Sequence, residues 1–288
     1  MLRKLMKYEL AATGRILIPI YFLVLAASAA LAANARWGST TSQFGNFLDI
    51  LLSLVFVFGI LAMIIVTTVL IIQRFYKNLL GNEGYLMFSL PVSTWQNILS
   101  KALSALLWIV GACLTGIASG FIFILVLEAF PDFWEALTKS WNILTLAVGK
   151  SKVISILILF IAALLLAILE SIVKIYASFS VGHLWGNHRV LGSILGYIGF
   201  GAIESLAMRF LPFEKMAEKW MAQRTASQTN GLSTMLFGAE TAQSMQEAAQ
   251  AFEFWRGITF FILAVAIIGI LIYGGITCFL LDRHLNLE

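Results

Sequence analysis

The stretch ILLSLVFVFGILAMIIVTTVLII, residues Ile50–Ile72, runs 23 residues without a charge and with few polar side chains. A helix needs about 20 such residues to cross the hydrocarbon core of a bilayer, so this stretch predicts a membrane span. Three more segments contain no Asp, Glu, Lys or Arg: Ile16–Ala33, Ala102–Leu127 and Gly257–Leu281. The chain as a whole is 60% hydrophobic and 12% charged, with mean hydropathy +0.91. An ordinary soluble domain is about a quarter charged.

Two further apolar segments carry charges. Val153 to about Val181 holds Glu170 and Lys174, and Val190 to about Leu211 holds Glu204 and Arg209. With them the expectation is an all-α membrane protein, one domain over 1–288, with six transmembrane helices at about 16–33, 50–72, 94–127, 153–181, 190–211 and 257–281. Neither a repeat nor a low-complexity linker divides it. Cys113 and Cys278 both fall in spans and read as apolar packing residues.

Lys and Arg in short flanks set orientation. Arg3, Lys4, Lys7 and Arg15 precede the first span, and Arg74 and Lys77 follow the second, which places both termini in the cytoplasm. Total basic counts on the two sides do not discriminate, but most of the outer charges lie in a long segment, and long loops translocate largely regardless of charge. Leu2, Leu5, Met6 and Leu10 recur at helical spacing beside Arg3, Lys4 and Lys7, the pattern of an amphipathic helix over Leu2–Ala12 lying on the membrane surface. A secretory signal is the other reading of this start, since small residues Ala30-Leu31-Ala32 close the first apolar run; that run is longer than an ordinary signal core.

The loop after Ile50–Ile72 carries the most informative motif. Gln73-Arg74-Phe75-Tyr76-Lys77-Asn78 opens it, and Pro91, with Ser93 and Gln96 at capping-box spacing, stops one helix and starts the next at about Thr94. Between them a short helix remains over roughly Glu83–Leu90. Tyr85, Leu86, Met87, Phe88 and Leu90 make it more apolar than a free loop, and Glu83 is its one charge. Two readings of that surface stand: a hairpin turn packed on the ends of neighbouring spans, or a docking face for a partner.

The arrangement Glu83-Gly84-Tyr85-Leu86-x-Phe88-x-Leu90-Pro91-Val92-Ser93, followed by an apolar helix with the early Lys101, resembles the permease subunits of type-2 ATP-binding-cassette (ABC) exporters. The expected plan agrees over nearly the whole chain: a basic amphipathic start, six spans, both ends inside, and a large outer segment, 212–256, before the last span. The resemblance implies a multi-pass protein of a bacterial plasma membrane. It also implies that the helix near 83–90 is a cytoplasmic coupling helix docking on an ATPase through Glu83, Tyr85, Leu86 and Phe88. Two ATPase subunits would hold ATP and Mg, a second permease copy or homologue would face this chain, and spans two and five would line the pathway through residues such as Thr67, Thr68, Tyr197 and Glu204.

Such a permease needs no phosphate loop, and the chain contains none. Gly149-Lys150-Ser151 is a decoy, because Leu144 stands where the motif needs its first Gly. Glu170 and Lys174 are four apart with the acid first, the favourable order for an ion pair within one helix; a link transmitting motion, or a polar lining, is the sharper alternative. Gly116/Gly120, Gly182/Gly186 and Gly192/Gly196 have the spacing that lets helices approach closely. His183 and His188, five apart, miss metal spacing and are read as interfacial.

In the outer segment 212–256, Phe213, Met216 and Trp220, then Met245, Ala249, Phe252 and Trp255, form two helical stripes. They suit packing on the outer face better than a ligand box. Phe130, Phe133, Trp134 and Trp141 read as an aromatic belt at the outer boundary.

No Ser/His/Asp set, HExxH or paired-carboxylate site points to an enzyme, and neither a metal, a resident cofactor nor a nucleic-acid partner is expected. A stand-alone secondary transporter or a membrane sensor or scaffold are the alternatives to the permease. The first calls for broken helices or several ionisable residues at mid-membrane.

Overall fold

In the computed structural model, residues 2–38, 43–80, 93–185, 188–209 and 239–283 are described. Every element among them is helical: α1 (Leu2–Trp37), α2 (Gln43–Phe75), α3 (Thr94–Val126), α4 (Phe130–Val148), α5 (Lys150–His183), α6 (Arg189–Arg209) and α7 (Ala239–Arg283). A π-helical turn, Tyr76–Leu80, extends α2. Among the described residues, five stretches are long and apolar enough to cross a membrane: Arg3–Trp37, Gly45–Leu80, Thr94–Val126, Lys150–His183 and Ala251–Asp282. The expected segment 190–211 is mostly occupied by α6, a 21-residue helix outside those five.

The outer surface matches lipid as solvent. Val57, Phe58, Ile64 and Ile65 of α2 and Ile158 and Ile161 of α5 are all more than half exposed. With no water in the bilayer core, helices satisfy their backbones internally and leave apolar side chains to the acyl chains.

The chain divides into two compact units, Met1–Trp134 with Gly274–Glu288, and Glu135–Tyr273. In the first, α1 packs on both α2 and α3. Leu17, Tyr21, Val24 and Met63 form its core, flanked by Phe56, Ile60, Leu70 and Trp108. The Tyr21 hydroxyl donates to the Trp108 carbonyl at 2.9 Å and lies 3.4 Å from Thr67 Oγ1, while its ring meets Trp108 edge-on. Gly111 permits this, since a Cβ there would come within 3.2 Å of the Tyr21 ring. Removing one buried hydrogen bond costs about 1 kcal/mol, so Tyr21→Phe is expected to lower the thermal midpoint in detergent slightly. An unchanged midpoint would show that the hydroxyl contributes nothing.

Ion pairs tie α1 to α3 at both ends. Glu9 pairs with Lys101, and Arg36 pairs with Glu128 while Arg36 Nη1 donates to the Val126 carbonyl at 2.7 Å. The separations are equal, 36 − 9 = 27 and 128 − 101 = 27 residues, so the two helices run parallel and in register. At 1.5 Å per residue that is roughly 40 Å, close to the thickness of a bilayer with its headgroup regions.

One local expectation changes. The basic start and the first span are one continuous helix rather than an interfacial helix followed by a span. Thr13 and Gly14 do not break it: Thr13 Oγ1 bonds back to the Glu9 carbonyl at 2.7 Å, and Gly14 lies against the Trp108 ring. The aromatic belt at Phe130–Trp141 is a helix of its own, α4, with no buried residue; Phe130 stacks on Trp134 at 6.1 Å.

In the second unit, α5 and α6 form a tight antiparallel hairpin. Gly182 abuts Ser193 and Gly192, and Gly196 abuts Ser178. The hydroxyls of Ser178, Ser180 and Ser193 return to carbonyls one turn back at 2.8–2.9 Å, so none is left unpaired at this dry crossing. Against this hairpin α7 contributes Tyr273, whose ring lies 5.2 Å from that of Phe200, and Gly269, which faces Glu170.

Candidate functional site

The residues expected to dock a partner, Glu83, Tyr85, Leu86 and Phe88, lie outside the described residues. Their anchors are described. On one side α2 ends in the π-helical turn, with Phe75, Leu79 and Leu80 buried. On the other, Ser93 is the N-cap of α3, with extended backbone and its carbonyl accepting from the Gln96 and Asn97 amides at 2.9 and 3.2 Å. The start at Thr94 thus agrees with the sequence reading, although the Ser93 side chain makes no capping bond. Asp282 of α7 meets Thr94 Oγ1 at 2.6 Å instead.

Both anchors converge on Glu9. Its Oε1 accepts from Lys101 Nζ and lies 3.5 Å from Asn78 Nδ2; its Oε2 is 4.0 Å from Arg74. Three helix segments, in α1, at the α2 end and in α3, are thereby joined by one carboxylate that is 12% exposed, against a Lys101 side chain at 4%. Asn97, Ser100 and Ser104 are buried beside Lys101, which makes the first turns of α3 the polar heart of this unit. Breaking such a buried pair leaves an uncompensated charge, so the cluster holds both roots of the 81–92 segment firmly.

A second set of charges lies in the other unit. Lys174 of α5 pairs with Glu204 of α6, and its ammonium sits 5.5 Å from the centre of the Tyr197 ring and 5.9 Å from that of Tyr273. Glu170, the partner suggested by the four-residue spacing, is not the one Lys174 takes. It is 8% exposed, and its Oε1 has no hydrogen-bond partner among the described residues.

The residues suggested as pathway lining divide between the units. Thr67 is buried against Tyr21, and neighbouring Thr68 is exposed, with its hydroxyl bonded to the Ile64 carbonyl at 2.9 Å. Tyr197 and Glu204 instead belong to the set around Lys174. Among the described residues no group of three His, Cys, Asp or Glu is placed to hold a metal ion.

Sequence reasoning did not single out Glu9. The signal was present: Glu9 lies on the face of α1 that carries Leu2, Leu5 and Met6 at helical spacing, and Lys101 is a lone charge on an otherwise apolar helix. Comparison of the chain with protein-family models, curated proteins and solved structures gives no match.

Proposed function

We propose that this chain is the membrane-spanning permease subunit of an ATP-driven exporter of the type-2 ABC class, with α6 as the fifth of six spans and both termini in the cytoplasm of a bacterial cell. The observation that carries the reading is the Glu83–Ser93 motif, rooted at both ends in helices that Glu9 ties together. A helix meant to transmit force into a membrane domain needs such roots, because a push on it then moves α1, α2 and α3 as one body. Two ATPase subunits would bind ATP and Mg and press on Glu83, Tyr85, Leu86 and Phe88, and a second permease chain would complete the pathway.

Co-purification of the chain from its native membrane, with any ATPase subunit that comes with it identified, tests the reading. Glu83→Arg with Phe88→Ala is expected to weaken ATPase capture at least tenfold, since truncating a buried aromatic anchor typically removes 2 kcal/mol or more of binding (about thirtyfold), while leaving the melting temperature of the permease unchanged. Capture that survives both changes sinks the docking assignment.

One observation favours a second reading. The ionisable set Glu170, Lys174 and Glu204 is what a gradient-driven secondary transporter would use. Flux driven by an ion gradient in liposomes holding this chain alone would establish it.

A further inference from the structure

We propose that Glu170, Lys174 and Glu204 form a proton-binding site in which two carboxyl groups share one lysine and one proton. Unlike the permease reading, this inference rests on the second unit alone and does not require an ATPase.

The groups facing Glu170 can be named element by element. Its own helix, α5, supplies Lys174, α6 supplies Glu204, and α7 supplies Tyr273 and the backbone of Gly269; Tyr197 of α6 lies over the Lys174 ammonium. Fully ionised, two carboxylates and one ammonium leave a surplus negative charge among helices whose outer faces meet lipid. An unpaired charge in such surroundings costs several kcal/mol. One proton removes the surplus.

Geometry places that proton on Glu170. Lys174 is engaged by Glu204, whose side chain is 28% exposed. Glu170 is more than nine-tenths buried, and Oε1 receives no donor from the described residues. Gly269 closes over it so tightly that a Cβ there would lie 2.6 Å from Glu170 Cγ and 3.1 Å from Oε1. An anionic oxygen without a donor is far more costly than a neutral carbonyl oxygen without one. The surplus charge and the donorless oxygen of Glu170 together suit a proton.

The four-residue spacing adds an exchange. Lys174 lies one turn from Glu170 on the same helix, within reach of its carboxyl. Starting from Glu170-COOH, Lys174-NH3+ and Glu204-COO−, transfer of the proton to Glu204 as the ammonium swings to Glu170 gives Glu170-COO−, Lys174-NH3+ and Glu204-COOH. Charge and protons balance, and the α5–α6 link through Lys174 is released. Proton occupancy and the grip between these helices are thereby coupled.

Infrared difference spectroscopy of the full-length protein in lipid nanodiscs, without ATPase, tests this through the carbonyl stretch of a protonated carboxylic acid. Near neutral pH the wild type is expected to show one such band, shifted in D2O. Glu170→Gln loses it, because Glu204 keeps Lys174. Glu204→Gln also loses it, because Lys174 then turns to Glu170 and ionises it. Lys174→Met roughly doubles it, since both acids must then bind protons. A Glu170 held by packing alone would not respond to Glu204→Gln, so a band of wild-type strength in that variant overturns the sharing. Absence of the band from the wild type overturns the site, and that measurement needs no variant to fold. Glu170→Gln, matching the neutral acid in shape, is expected to melt with the wild type.

Discussion

Lys101→Met should destabilise this protein more than any other single loss of a charged side chain. Among the described residues, the substitution leaves the buried Glu9 carboxylate with Asn78 at 3.5 Å and Arg74 at 4.0 Å. Removing one member of a buried pair costs about 3–5 kcal/mol, chiefly through the charge left behind, and at 2–4 °C per kcal/mol the thermal midpoint should drop by roughly 6–20 °C. The double variant Glu9→Gln/Lys101→Met removes both charges and should recover to within about 1 kcal/mol of the wild type, because replacing both partners is far less costly than orphaning one. Its mirror at the opposite clip, Arg36→Met, should cost no more than about 1 kcal/mol, since Arg36 and Glu128 are 31% and 73% exposed and solvent screens them. Melting curves of the four proteins decide the matter. Equal losses from Lys101→Met and Arg36→Met would show that burial does not govern these clips.

Where the sequence was legible, one local pattern sufficed. Ile50–Ile72 announces a span because lipid requires an apolar run of that length, and Pro91 with Ser93 marks the start of α3 because proline cannot continue a helix and the N-cap carbonyl can begin one. The amphipathic start was legible as a helix but not as an extension of the first span, since Thr13 and Gly14 look like a boundary and are accommodated by a back-bond and by Trp108. Lys174 shows where local pattern stops. Spacing of four favours Glu170, yet the close crossing of α5 and α6 brings Glu204, thirty residues away, to the same ammonium. Only tertiary packing makes that choice, and no window along one helix contains it. Glu9 is the intermediate case, visible as an acid on an apolar face and silent about which cation answers it.

That crossing is tightest at Gly182. A Cβ at Gly182 would collide with Ser193, not only with its Oγ but with its backbone nitrogen and, at 2.6 Å, its Cα. A hydroxyl can rotate away and a backbone cannot, so α5 and α6 would have to separate along their shared end. Gly182→Ala is expected to cost about 1–3 kcal/mol, the usual range for overpacking, and Gly182→Val more. Adding Ser193→Gly should recover only part of the loss, because it removes the Oγ collision and leaves the backbone one. Gly116 makes the contrast, with nothing within 4 Å of its would-be Cβ. There Gly116→Ala meets no neighbour, and alanine's better helix propensity should leave stability unchanged or raise it by up to about 1 kcal/mol. Both glycines sit in the small-residue spacing that reads alike in sequence, so opposite signs for the two alanine variants in thermal melting would separate a packed crossing from an open face. A harmless Gly182→Ala would mean that α5 and α6 do not meet at this distance, and with it would fall the placement of Lys174 against Glu204 two turns along the same hairpin.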